Sequence, residues 1–139
     1  MISSRLITDL HPKIQPMAQQ LIDDCRAQNI DLIITSSYRD VEAQNAIYSQ
    51  GRTKPGAIVT NAQGGHSFHN YRVAIDVVPI INGKCDWSGT SDVWQKIITD
   101  AKVIGFEWAG DWITFKERAH FQYTQGLSIQ DFLDGKNIQ

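Results

Sequence analysis

The chain has 139 residues, with 42% hydrophobic and 20% charged, which suits one globular domain of ordinary size and excludes a disordered or fibrous chain. A formal charge of -2 and a pI near 6.0 exclude the clustered Lys and Arg surface that phosphate neutralisation needs, so no nucleic acid partner is expected. No apolar run approaches the roughly 20 residues of a membrane span, and no stable membrane association is expected. The N-terminal run Met1-Ile2-Ser3-Ser4-Arg5-Leu6-Ile7-Thr8-Asp9 lacks the long apolar stretch of a secretory signal. Synthesis in the cytoplasm is therefore expected, with Cys25 and Cys85 as free thiols.

Ile14, Met17, Ala18, Leu21, Ile22 and Cys25 recur at helical spacing and predict an amphipathic helix over 13–28, with Pro16 tolerated in its first turn. Asp31 to Ser36 reads as a short buried strand. A second helix is expected from Asp40 to Gly51 with Ala43, Ile47 and Tyr48 inward. Residues 51–70, rich in Gly, Asn, Thr and Ser, read mostly as loop. Val73 to Pro79 is a strand by its Val and Ile content, and Asn82 to Asp86 is turn-like. Ser91 or Thr90 caps a helix over Val93, Trp94, Ile97, Ile98, Ala101 and Ile104, which Gly105 closes. Short strands are expected around 112–115 and 120–123, and Ser128-Ile129-Gln130-Asp131 resembles a capping box for a last short helix. Together these elements predict an α+β fold over residues 1–139, a small, mostly antiparallel sheet flanked by helices.

Asp76 breaks an apolar strand of Val73, Ala74, Ile75, Val77 and Val78, and a carboxylate there is costly unless a cation or several donors meet it. His69 stands seven residues earlier, and His120 lies at the edge of a later apolar strand. Two imidazoles and one carboxylate from different elements are what a catalytic zinc wants, three ligands with a fourth position left for water. Glu117, three residues before His120, is placed for a tight bend to hold it beside the metal as a base. No G-x-S-x-G elbow offers a rival nucleophile, and neither cysteine has a suitable flanking partner.

The run Ser67-Phe68-His69-Asn70-Tyr71-Arg72-Val73-Ala74-Ile75-Asp76 resembles the S-x-H-x-x-G-x-A-x-D signature of the D-Ala-D-Ala carboxypeptidase and dipeptidase group of metallopeptidases. Glu117-Arg118-Ala119-His120 resembles the group's second signature, an acidic residue three before a zinc histidine. Ser36-Ser37-Tyr38-Arg39 with Gln44, Gly51 to Gly56, and Phe106 to Trp112 extend the likeness toward the L-alanyl-D-glutamate endopeptidases of phage endolysins and bacterial wall hydrolases. Three positions depart from that pattern. Arg72 stands at the signature's Gly, Glu117 replaces the endopeptidase branch's Asp, and Ala119 replaces a Pro.

The resemblance implies a hedgehog/D,D-peptidase-like fold and a Zn2+ cofactor held by His69, Asp76 and His120, with Glu117 as base. It implies that Arg39 steadies the substrate carbonyl or developing oxyanion, and that Ser67, Gln44, Tyr38 and Trp112 support the site or touch substrate. His66 is read as a loop residue rather than a ligand, and Trp94 as core. The implied partner is the stem peptide of peptidoglycan, cut between L-Ala and D-Glu by a monomeric lysin that reaches the wall after release from the cytoplasm. Two rivals follow from the same residues. One is a D,D- or L,D-carboxypeptidase on the same peptide, and the other is a non-catalytic zinc-containing binding domain.

Overall fold

The computed structural model describes every residue from Met1 to Gln139. The N-terminal helical periodicity forms α1, Ile14–Ala27, which buries Ile14, Ala18, Leu21 and Cys25 at steps of four, three and four residues along one face. It packs on α3, Asp92–Ile104, which buries Trp94, Ile97, Ile98 and Ala101. Ser91 caps α3 by accepting from the backbone N of Trp94, and Gly105 ends it at a φ of 124° that a side chain would resist. Trp94 is fully buried and its Nε1 donates to the carbonyl of Asp86 at 2.6 Å, so this indole is a core residue as expected. Each buried Leu or Ile contributes about 1.5–3 kcal/mol, and Leu21→Ala at the centre of α1 would cost about 2–5 kcal/mol.

Both helices cover one five-stranded sheet in which every pairing is antiparallel. Its strands are β1, Asp31–Ser36; β2, Ala74–Ile81; β3, Lys84–Cys85; β4, Glu107–Trp108; and β5, His120–Gln122. The order is β1-β2-β5-β4, with β3 paired to the far end of β2. Because β2 lies between β1 and β5, both its edges are paired, and most of its residues are buried, in keeping with its nearly unbroken apolar run. Ile75 and Val77 point to the core; Asp76, between them, points to the other face.

Four details differ from expectation. The 112–115 segment is not a strand: a 3-10 turn at Ala109–Asp111 lifts the chain off the sheet, Phe115 takes a φ of 41°, and Ile113 is 97% exposed. The neighbour of β5 is instead the two-residue β4. The turn expected through Asp86 contains β3, because Asn82 and Gly83 at φ 52° and 78° make a tight hairpin. In α2, Val41–Ser49, capped by Asp40 through Ala43 N at 2.8 Å, the buried residues are Ala43 and Gln44. Ile47 and Tyr48 are only half-buried, and the Tyr48 ring carries the Arg52 guanidinium at 3.9 Å. The loop from 51 to 70 is otherwise as expected, apart from a 3-10 turn at Phe68–Tyr71. The last helix, α4, is Ile129–Leu133 with the Ser128 capping box in place. No helix is long and apolar enough to cross a membrane.

Candidate metal centre and active-site cleft

His69 sits on the Phe68–Tyr71 turn, and local hydrogen bonds shape that turn. Ser67 Oγ accepts from His69 N at 3.2 Å, while Asn70 Oδ1 accepts from the backbone N of Ser67 and of Gly65. Asn70 Nδ2 then donates to the carbonyl of Arg39 at 2.8 Å, and Arg39 N donates to the carbonyl of His69. The Ser36-to-Arg39 stretch thus acts as a backbone clamp on the histidine turn. Its most direct hold is the Ser37 carbonyl, which accepts from His69 Nδ1 at 2.8 Å and leaves Nε2 as the free ring nitrogen.

Arg72, at the signature's glycine position, ends this turn at a φ of 66°. That left-handed conformation is the reason the pattern carries Gly there, and a non-glycine residue in it costs about 1–2 kcal/mol.

Asp76 and His120 face each other directly in the β2–β5 register. His69 Nε2 lies 3.1 Å from Asp76 Oδ1, His120 Nδ1 lies 3.2 Å from the same oxygen, and the two ring nitrogens are 3.2 Å apart. Three acceptors therefore form a nearly equilateral triangle in a buried setting. A tetrahedral ion with bonds of about 2.0–2.1 Å puts its ligands about 3.3 Å apart, so the donor set fits zinc in spacing and in chemistry. His120 Nε2, turned away from the triangle, lies 2.8 Å from Gln122 Oε1.

Charge follows the same geometry. Burial would raise Asp76, but the two imidazoles outweigh it and hold its carboxyl well below the usual carboxylate range. Burial pushes His69 down despite Asp76. For His120, burial also favours the neutral ring, yet the hydrogen bond and charge of Asp76 prevail and raise it.

A cleft of about 530 Å³ opens over this centre, and Arg39, His66, Ser67, Trp112 and Glu117 are among the residues lining it. Glu117 is held by a tight bend in which His120 N donates to its carbonyl at 3.1 Å, the bend that its spacing predicted. Burial, with Asp76 nearby, pushes the Glu117 carboxyl up against the opposing pull of His120 and Arg39. Burial lowers the Arg39 guanidinium against the opposing charges of Asp76 and Glu117, and its buried Nε has no partner in the chain. The Trp112 ring is 5.6 Å from that of His120.

Two of the residues expected to support the site or touch substrate do not line the cleft themselves. The Tyr38 ring packs under the Arg72 guanidinium at 3.8 Å and does not line the cleft. Gln44 is fully buried behind the wall, where its Nε2 donates to the carbonyl of Ala62, a lining residue, at 2.8 Å. Gln122, Glu107 and Thr124 form a polar chain behind His120 that the sequence reading left out. Its signal was present: His120, Gln122 and Thr124 alternate with Phe121 and Tyr123 in the strand period.

The arrangement is that of a metal-dependent hydrolase, with a cation site, a carboxylate and a guanidinium opening on one cleft. Comparison with known proteins makes the family specific: this chain belongs to the VanY family, D-alanyl-D-alanine carboxypeptidase, which it matches over residues 7–125. It is 40% identical over 124 residues to the peptidoglycan L-alanyl-D-glutamate endopeptidase CwlK of Bacillus subtilis (strain 168), covering 83% of this chain and 74% of that one. It is 29% identical over 131 residues to the L-alanyl-D-glutamate peptidase of Listeria phage A118, covering 93% of this chain but only 43% of the phage protein. Among solved structures, a mutant of the vancomycin resistance D,D-pentapeptidase VanY in complex with Zn(II) superposes with a TM-score of 0.66 at 21% identity, over 96% of this chain and 89% of that one. At that identity the likeness is one of fold, and the expected D,D-peptidase-like architecture is the observed one.

Proposed function

We propose that this chain is a zinc endopeptidase that cuts the stem peptide of peptidoglycan between L-Ala and D-Glu, with residues 1–139 acting as one catalytic unit. The observation that carries the metal assignment is the triangle of His69 Nε2, Asp76 Oδ1 and His120 Nδ1, three acceptors converging where only a cation or a proton relieves their repulsion. Bound there, zinc would supply a Lewis acid that brings the pKa of a water toward about 7. Glu117 is the base that takes a proton in the cleft and returns it to the leaving amine, and its burial suits it to hold that proton in transit. The Arg39 guanidinium, with a donor unused by the chain, meets the carbonyl oxygen as negative charge develops on it.

The choice of bond rests on the lining of the cleft. A carboxypeptidase needs a cation for the terminal carboxylate, beyond any group used at the reacting carbonyl. Arg39 is the only Lys or Arg among the lining residues. The nearby Arg52 is spent on the loop, donating to the carbonyls of Tyr48 and Thr60 and to Asn61 Oδ1. The names of the Bacillus and phage relatives favour the same bond. The same reading has the protein act as a monomer at the cell wall after release from the cytoplasm.

The test is digestion of intact sacculi by the zinc-loaded protein, by the protein with chelator, and by Glu117→Ala, with new ends identified by mass spectrometry. New N-terminal D-Glu that disappears with chelator and with the variant is the expected result. Release of free D-Ala would assign the carboxypeptidase reaction instead. No cleavage by folded, zinc-loaded protein would leave a binding domain.

A further inference from the structure

We infer that Gln122, oriented by Glu107, fixes the ring tautomer of His120 and so prepares its Nδ1 as a metal donor. The strand period puts His120 and Gln122 on one face of β5, with Thr124 in the same phase just beyond it, while Phe121 turns into the core. The β4–β5 register sets Glu107 opposite Gln122. Glu107 Oε1 accepts from Thr124 Oγ1 at 3.0 Å, and Glu107 Oε2 accepts from Gln122 Nε2 at 3.3 Å.

Each link allows one arrangement of hydrogens. Both Glu107 oxygens accept, one from Thr124 and one from Gln122, so the Gln122 amide turns its NH2 toward Glu107 and its oxygen toward His120. That oxygen lies 2.8 Å from His120 Nε2 and can only accept, so the ring hydrogen sits on Nε2. A neutral imidazole has one N–H, which leaves Nδ1 as a bare lone pair pointing at Asp76 Oδ1 and His69 Nε2. A reversed amide would offer its NH2 to Nε2 and drive the hydrogen onto Nδ1, inside the donor triangle. Gln122 is 5% exposed, so water does not readily take over its part. His69 needs no such chain, because a backbone carbonyl, that of Ser37, does the same work.

Gln122 is thus a positioning residue that acts through His120, and its role rests on the proposal that His120 is a zinc ligand. The test measures zinc affinity by competition with a chromophoric chelator, and the His120 tautomer by imidazole 15N NMR on zinc-free protein at alkaline pH. Wild type is expected to show the Nε2–H form. Gln122→Leu is expected to show a mixture of tautomers and about 10–100-fold weaker zinc binding. The exchanged pair Gln122→Glu with Glu107→Gln keeps an acceptor at His120 and a donor behind it, and is expected to restore both readouts. If Gln122→Leu does not fold, Glu107→Gln alone, which frees the amide to reverse, is expected to shift both readouts in the same direction. His120→Ala separates the two assignments: zinc affinity unchanged in that variant would remove His120 as a ligand. Loss there, combined with wild-type affinity and a single tautomer in folded Gln122→Leu or Glu107→Gln, would overturn the role of Gln122 alone.

Discussion

The guanidinium of Arg72 lies 3.8 Å over the ring of Tyr38, which joins the residue at the signature's glycine position to the clamp that holds His69. Arg72 also donates to the carbonyl of Asp9 at 2.7 Å, and these contacts offset the strain of its φ of 66°. Arg72→Ala keeps the strained backbone and loses both contacts, so it is expected to destabilise the fold by about 1–2 kcal/mol. Arg72→Gly loses the same contacts but relieves the backbone, and should be more stable than Arg72→Ala by about 1 kcal/mol. Urea unfolding of the three proteins checks the order. Arg72→Gly falling below Arg72→Ala would show that the turn is not strained by a side chain.

Glu117→Gln keeps the shape of the side chain and removes its basicity. Activity on wall peptide is expected to fall by about 100- to 10,000-fold while zinc content stays at the wild-type level. Asp76→Asn is expected to lose zinc as well as activity, because the triangle then lacks its charge. Metal analysis of the purified variants beside the kinetics separates a lost base from a lost ion.

Zinc held by the folded triangle, and not by the separated ligands, would raise thermal stability. At a free concentration about 100 times Kd the gain is about 2.7 kcal/mol, or roughly 6–10 °C in Tm for a chain of this size. Scanning calorimetry with zinc and with chelator measures it, and Tm values that coincide would remove the metal site.

Cys25 is fully buried and Cys85 is exposed, so a thiol reagent at neutral pH should label one cysteine in the native protein and two in the unfolded one. Burial, aided by the charges of Asp100 and Asp24, pushes the Cys25 thiol up to about 12. The folded state holds this proton more tightly than the unfolded state, whose thiol ionises near 9.0. The stability from the neutral thiol is complete below about pH 9 and is lost as pH rises from there toward about 12. Unfolding free energy measured across that range should fall more steeply in wild type than in Cys25→Ala, and equal slopes would count against the shift.

The sequence by itself determined the elements whose signals are local. Helical spacing gave the buried face of α1, and Ser91 and Gly105 marked the ends of α3, because capping and amphipathicity depend on residues within a few positions. It also named His69, Asp76, His120 and Glu117 as a group, since a carboxylate in an apolar strand and paired histidines are costly without a shared purpose. Only the tertiary structure decided what depends on register and on chain direction after a turn. It set Asp76 opposite His120, turned Tyr38 away from the cleft and under Arg72, and lifted residues 112–115 off the sheet. It also brought Glu107 behind Gln122, 15 positions away in the chain. Strand pairing sums many weak contacts over long loops, and no short window of sequence carries that sum.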